Sequence, residues 1–148
     1  MEMFNLNHLD MNLTGKNQRE VLESLADMAL DLKIVDNSST LVNDYLEREK
    51  ESTTGFGNGV AIPHARTDNV KSAAILFGRI SNDIEWNSLD GKPVNTVISL
   101  LVPNDQSDTH LKLLAKLSRQ LVHKDFVDIL KTGSKQEVFE AIDKVLNN

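Results

Sequence analysis

Val97-Ile98-Ser99-Leu100-Leu101-Val102 and the earlier run Ala73-Ala74-Ile75-Leu76-Phe77-Gly78-Arg79-Ile80 decide how this chain is read. Both runs are short, nearly continuously apolar and bounded by turn-forming residues. Such runs read as strands, and a strand without polar alternation is buried on both faces. They therefore predict a central sheet with helices lying over each side. Between them Asp90-Gly91 followed by Lys92-Pro93 marks a turn, and the flanking Ile84, Trp86 and Val94 suggest a hairpin or a short edge strand.

Working outward, Val21, Leu22, Leu25, Ala26, Met28, Ala29 and Leu32 recur at three- and four-residue steps, one apolar stripe on a helix from Asn17 to about Lys33. A second helix follows Ser38/Ser39 as caps, turns Leu41, Val42, Tyr45 and Leu46 inward, and leaves Arg48 near its end. A cation there complements the negative end of the helix dipole, which is one sufficient role for Arg48. After Pro103-Asn104-Asp105 a long helix capped by Ser107 or Asp108 carries Leu111, Leu114, Ala115, Leu117, Ser118, Leu121 and Val122. A break at His123-Lys124-Asp125 leads to a short helix over 126–131, and Ser134 with Glu137 forms a capping-box pattern for a last helix to about Leu146. The chain has 148 residues, the length of one domain. The expectation is a single α/β domain over 1–148, with a central mixed β-sheet flanked by helices on both faces.

Charge narrows the partners. Residues 1–54 hold 11 acids and 5 bases, whereas 55–148 hold 11 of each, so the whole excess of −6 lies in the first third. The lysines are scattered among acids, and phosphate-backbone binding needs clustered Lys and Arg, so nucleic acid is not expected. The absence of cysteine removes thiol catalysis, thiolate metal sites and disulfides together. Met1 to Asp10 shows no basic start with an apolar run, and no stretch approaches the roughly 18 apolar residues of a membrane span. A cytoplasmic protein is expected.

Thr53-Thr54-Gly55-Phe56-Gly57-Asn58-Gly59 reads as a loop, after which Val60, Ala61 and Ile62 resume an extended run. Pro63 keeps Ile62 extended and donates no amide hydrogen, which places His64 just past a strand end. The glycine-rich loop offers free amides as an anion nest, and an imidazole near neutral pH is a good nucleophile toward phosphorus. A surface histidine in a turn fits the same residues. His110 falls in the first turn of its helix, where amides and dipole favour an anion, and either a phosphoryl contact or a backbone-bonded histidine fits there. The four histidines, at 8, 64, 110 and 123, include no close pair with metal-ligand spacing on one helix. Gly55-x-Gly57-x-Gly59 has neither dinucleotide spacing nor the Lys-Ser/Thr of a P-loop, and no G-x-S-x-G string occurs.

The run Arg48-Glu49-Lys50-Glu51-Ser52-Thr53-Thr54-Gly55-Phe56-Gly57-Asn58-Gly59-Val60-Ala61-Ile62-Pro63-His64-Ala65 strongly resembles the signature of enzyme IIA domains of the fructose/mannitol family, in the bacterial sugar phosphotransferase system. Leu101-Val102-Pro103 and His110-Leu111-Lys112-Leu113-Leu114-Ala115-Lys116-Leu117 resemble the family's second histidine block, and the likeness covers nearly the whole chain. It implies the fructose/mannitol enzyme IIA fold and a phosphorelay without metal or other cofactor. HPr, carrying phosphohistidine, would phosphorylate His64; His64 would pass the group to an enzyme IIB and so to sugar entering through the membrane enzyme IIC. By motif position His110 and Arg48 would stabilise the phosphoryl group, and Thr54 would contribute an oxygen or backbone contact.

The segment from Ile84 to Val94 resembles the fructose branch. An alternative is the nitrogen-type enzyme IIA, which keeps the same histidine but regulates other proteins by phosphorylation-dependent binding. A metal-assisted phosphohydrolase built on the two histidines lacks a third ligand near them in sequence. Partners must dock over His64, and Phe56 is the candidate for an exposed apolar rim, an inward-folded aromatic being the other reading.

Overall fold

The computed structural model describes residues 2–147, which leaves the two terminal positions of the expected 1–148 domain outside the description. A 3₁₀ turn (Leu6–His8) leads into β1 (Leu9–Leu13), and two helices follow, α1 (Gln18–Asp31) and α2 (Ser38–Glu51). Then come β2 (Gly55–Gly57), β3 (Val60–Ala61), β4 (His64–Arg66), β5 (Ala74–Ile84) and β6 (Val94–Val102). Helices α3 (Ser107–Gln120), α4 (Lys124–Thr132) and α5 (Lys135–Leu146) close the chain. The sheet runs β1-β5-β6-β3-β2, with β4 also paired to β6. It is mixed: β5–β6 and β2–β3 are antiparallel, while β1 on β5 and both β3 and β4 on β6 are parallel.

The two apolar runs are the central antiparallel pair, and their alternate residues feed two separate cores. Ala74, Leu76 and Ile80 of β5, with Val97 and Leu101 of β6, pack with α1 and α2 residues such as Leu22, Leu25, Leu41 and Tyr45. Ile75, Phe77, Ile98, Leu100 and Val102 face the other way, onto Leu113, Leu117, Leu130, Val138 and Ile142 of α3, α4 and α5. Period-two alternation explains the split, because successive side chains of one strand point to opposite faces. A strand serving two apolar layers has no polar side, which is why both runs read as continuous. The exceptions are Arg79, which reaches the α4–α5 turn, and Ser99, whose Oγ lies 2.6 Å from the hydroxyl of Tyr45 and so satisfies both groups in the buried layer.

Two positions on β5 are tightly fitted. A Cβ on Gly78 would lie 2.5 Å from Leu13 Cδ2 and 3.2 Å from Val97 Cγ2, so the glycine leaves room for side chains of the two strands that flank β5, β1 and β6. Arg79, next along, faces the α4 layer and ends the helix there: Nε and Nη2 donate to Leu130 O at 3.2 and 2.7 Å, and Nη2 also donates to Gly133 O at 3.0 Å. The last carbonyls of a helix have no intrahelical partner, so this guanidinium supplies what the α4–α5 turn lacks.

Several local expectations are corrected. β1 is not among the expected elements, whereas the hairpin reading of the Ile84 to Val94 segment holds: β5 runs on to Ile84, which pairs antiparallel with Val94 and makes the connection over 85–93 the loop of a β5–β6 hairpin. The glycine stretch is not an open loop: Asn58 (φ 57°) and Gly59 (φ 85°) form a two-residue turn between β2 and β3. His64 lies just past the end of β3, as expected, and itself opens β4. Pro63 interrupts the ladder, yet Ala61↔Val97 and His64↔Leu100 keep one register because the chain stays extended through it. The cap of α2 is Asn37, whose side chain accepts from the Thr40 amide; Ser38 lies inside the helix. The N-cap of α3 is Gln106 and makes no side-chain cap bond, so neither Ser107 nor Asp108 caps it. Of the apolar residues around α3, Leu111 and Val122 are 66% and 70% exposed. The Ser134/Glu137 capping box is present on α5.

Among the described residues, no helix is long and apolar enough to cross a membrane. Replacing Arg79 by Met keeps the stem and removes the donors, leaving carbonyls of the α4–α5 turn unpaired. The expected loss is about 2–3 kcal/mol in urea unfolding, and an unchanged midpoint would show the turn to be held by packing alone.

Candidate functional site

Among the described residues β4 pairs only with β6, and helices from both layers reach it. Arg48 comes from the last turn of α2 and His110 from the first turn of α3. These helices belong to opposite cores, so the edge of the sheet is where their ends can meet. His64 is buried there, and its ring stands 5.1 Å from that of His110, centroid to centroid, at 88°. A cleft of about 550 Å³ opens over the pair, lined also by Arg48, Arg66, Asp44, Glu47, Ser107 and Leu111. The structure thus brings together three of the four expected site residues.

The hydrogen bonds of His64 define its tautomer. Arg48 Nε–H donates to His64 Nε2 at 2.9 Å, and a guanidinium has no lone pair to offer in return, so Nε2 carries none of the ring's hydrogen. Nδ1 lies 2.8 Å from the Ile62 carbonyl oxygen and must be the donor. Burial pushes the His64 pKa below its usual 6.5; the Ile62 carbonyl partly opposes this and the Arg48 charge adds to it. The His110 pKa falls to about 4, chiefly through burial, then through the charges at His64, Arg66 and Arg48. Both rings are neutral at pH 7. Arg48 is itself fixed by a second bond, from Nη1 to the Ser52 carbonyl oxygen at 2.9 Å.

Thr54 is not part of this cleft. Its hydroxyl donates to Glu49 Oε2 and accepts from Trp86 Nε1 at 3.1 Å, its amide donates to Glu49 Oε1 at 3.0 Å, and its carbonyl accepts from Ile62 N at 2.9 Å. With every polar atom engaged, Thr54 has nothing to offer an anion; it ties the residue after Arg48 to the loop and to buried Trp86. Phe56 is also corrected, since it packs half-buried against the α3–α5 core. Leu111 supplies the exposed apolar rim instead.

Asp44 and Glu47 were not singled out from sequence, although their spacing from Arg48 and Glu51 places all four along one side of α2. Asp44 is the unusual one: its Oδ2 is buried without a hydrogen-bond partner among the described residues. His8, without context in the sequence, is buried with Nδ1 2.9 Å from the Ile75 carbonyl oxygen and does not line the cleft. Among the described residues, no three His, Cys, Asp or Glu side chains converge as a metal would require.

Comparison with known proteins agrees with this geometry. The family model described as "Phosphoenolpyruvate-dependent sugar phosphotransferase system, EIIA 2" matches residues 2–145. A PTS system fructose-like EIIA component of Escherichia coli K12 is 34% identical over 140 residues, 95% of each chain. A nitrogen regulatory protein of Pseudomonas aeruginosa is 33% identical over 133 residues, 89% of this chain and 86% of the relative. The crystal structure of the nitrogen regulatory protein IIA-Ntr from Neisseria meningitidis superposes with a TM-score of 0.88 at 29% identity, covering 95% of this chain and 96% of that one. The neutral histidine pair at the edge of a two-core mixed sheet therefore has a family to go with it: the chain belongs to the EIIA 2 family of the phosphoenolpyruvate-dependent sugar phosphotransferase system, as one of its phosphotransfer components.

Proposed function

We propose that His64 carries a phosphoryl group on Nε2, taken from the phosphohistidine of HPr and passed to an enzyme IIB in the uptake of a fructose-type sugar. The observation that carries this reading is the bonding of the His64 ring, with Nδ1–H held by Ile62 O and the Nε2 lone pair facing the cleft under Arg48. A nucleophile needs that lone pair, and a buried neutral ring keeps it unprotonated. In the transfer, the donor's N–P bond breaks and its electron pair stays on the donor nitrogen. The Nε2 lone pair of His64 forms the new N–P bond, while the Nδ1 hydrogen stays on Nδ1 and remains donated to Ile62 O.

Exchange between two imidazoles is nearly symmetric, so the protein mainly aligns the groups and stabilises charge on the transferring oxygens. Arg48 covers Nε2 in the resting state and must release it. Its guanidinium then turns to the arriving oxygens, where His110 and the first-turn amides of α3 receive the rest. A neutral His110 donates one N–H without holding the group as tightly as a second cation would. Leu111, exposed at the rim, gives a docking protein an apolar contact.

Support for the sugar-carrier reading is the fructose-like relative and the Ile84–Val94 segment. The similarly close nitrogen regulatory relatives support a second reading, in which the same phosphohistidine alters binding to regulated proteins rather than feeding a IIB. The two differ in the outlet. Protein phosphorylated through enzyme I, HPr and phosphoenolpyruvate is mixed with fructose-type IIB and followed by intact mass: rapid loss of an acid-labile group from His64 supports the carrier, and retention supports the regulator. His64→Ala should take up no phosphoryl group, and full incorporation would end both readings.

Arg48→Ala should slow transfer about 10²-fold while costing roughly 0.3–1 kcal/mol or little more of stability, as stopped-flow transfer and urea unfolding would report. Because the His64 pKa lies below 6.5, acceptance should be level from about pH 7 upward and fall on the acid side as a proton takes the Nε2 lone pair. A rate that rises through pH 6–8 would mean that His64 titrates as an ordinary exposed imidazole.

A further inference from the structure

The mechanism above uses the Arg48 cation and two imidazoles of the cleft and leaves one half-buried acid unexplained. Asp44 lies one turn before Arg48 on α2, so the two side chains share a face of the helix and a wall of the same cleft. Its Oδ2 is buried and makes no hydrogen bond among the described residues, which native structures rarely tolerate without a reason. Burial pushes its carboxyl above the usual carboxylate range, with the Thr67 side chain opposing in part.

The other charged groups around the cleft are Glu47, Arg48 and Glu51 from α2, His64 and Arg66 from β4, and His110 from α3. Glu47 is exposed and paired with Lys50 at 2.9 Å, and Glu51 is exposed, so solvent screens both. The Asp44 charge has no such screening at Oδ2 and acts on whatever enters the cleft.

We propose that Asp44 sets the phosphoryl-transfer potential of His64: its half-buried carboxylate lines the cleft that the phosphoryl group enters, raises the free energy of the phosphorylated state, and drives the group onward. This rests on the reading of His64 as the phosphoryl carrier. Arg48 and Arg66 attract the dianion and Asp44 opposes it, so the site captures the group without retaining it. A carrier that bound its phosphoryl group too well would stop the relay there. Asp44 forms no bond with phosphorus and exchanges no proton in the step. Its effect is electrostatic and is felt in the equilibrium with the donor.

The test is that equilibrium. Wild type and Asp44→Asn are each brought to equilibrium with HPr and phospho-HPr at pH 8, and the phosphorylated fractions of both proteins are read by intact mass. Removing one unit charge from the wall should shift the ratio toward the phosphorylated carrier by about 5- to 10-fold, the scale of a poorly screened charge several ångströms away. Lowering the pH through the Asp44 titration should move wild type toward the Asp44→Asn value and narrow the difference. The phosphoryl group, His64 and His110 also titrate, but they do so in both proteins.

Thermal unfolding supplies a separate readout. Because the folded-state pKa of Asp44 is raised, its ionised form costs stability at neutral pH, so Asp44→Asn should melt at the same or a higher temperature. If Asn does not fold, Asp44→Ser serves. Equal ratios within twofold for a folded variant, or a shift toward the unphosphorylated carrier, would overturn the proposal while leaving the phosphoryl-carrier reading intact. A wild type that takes no phosphoryl group from phospho-HPr would overturn both.

Discussion

The hydrogen bond from Arg48 Nε to His64 Nε2 ties the two layers of the molecule to its chemistry. It can form only if the end of α2, the strand β4 and the extended link through Pro63 are all in place. It also decides the state of the imidazole. A donor on Nε2 and a carbonyl on Nδ1 leave one tautomer, and a neighbouring cation together with burial keeps that tautomer neutral. Nucleophile, orientation and protonation state thus follow from two contacts, each made by an element whose main business is packing.

The supporting structure explains why those contacts are stable. Glu49 follows Arg48 and grips the hydroxyl and amide of Thr54, while Trp86 donates to the same hydroxyl from the β5–β6 connection. Thr53 adds a bond from its hydroxyl to the Trp86 carbonyl oxygen at 3.1 Å. The end of α2 is therefore fastened to the sheet on the side away from the cleft. Arg48 keeps its own tether to Ser52 O, so its guanidinium can exchange Nε2 for a phosphoryl oxygen without the helix end moving. A buried polar network of this kind is costly when incomplete and specifying when every member is satisfied, and here all of Thr54's groups are.

Most of the fold was legible because it rests on long periodic or continuous patterns. The stripe from Val21 to Leu32 and the runs ending at Ile80 and Val102 each imply one structure. Short elements were not: β1 has five residues, and its Leu9, Met11 and Leu13 alternate too briefly to stand out from a terminal segment. The β2–β3 hairpin had a signal, Asn58-Gly59, that was overshadowed by the flanking glycines. Ser38 and Ser39 masked Asn37 as a cap because all three are good cap residues and only the chain's entry angle chooses among them. At the site, the convergence of His64, Arg48 and His110 was expected from a family signature, whereas spacing alone left each with an ordinary alternative. Thr54 carried the same signature, yet its hydroxyl is taken by Glu49 and Trp86, partners 5 and 32 residues away that no local pattern links. Asp44 went unnoticed because an acid on a helix is usually solvated, and its burial arises only when α2 lies over β4.

The central claim is that His64 presents an unprotonated Nε2 and receives phosphorus there. Long-range ¹H–¹⁵N correlation of the histidine rings, before and after phosphorylation by HPr, reads it directly. The account predicts an Nδ1–H tautomer of His64 at pH 7 and, after loading, phosphorus on Nε2 with the Nδ1 hydrogen retained. An Nε2–H resting tautomer, or phosphorus on Nδ1, would contradict it.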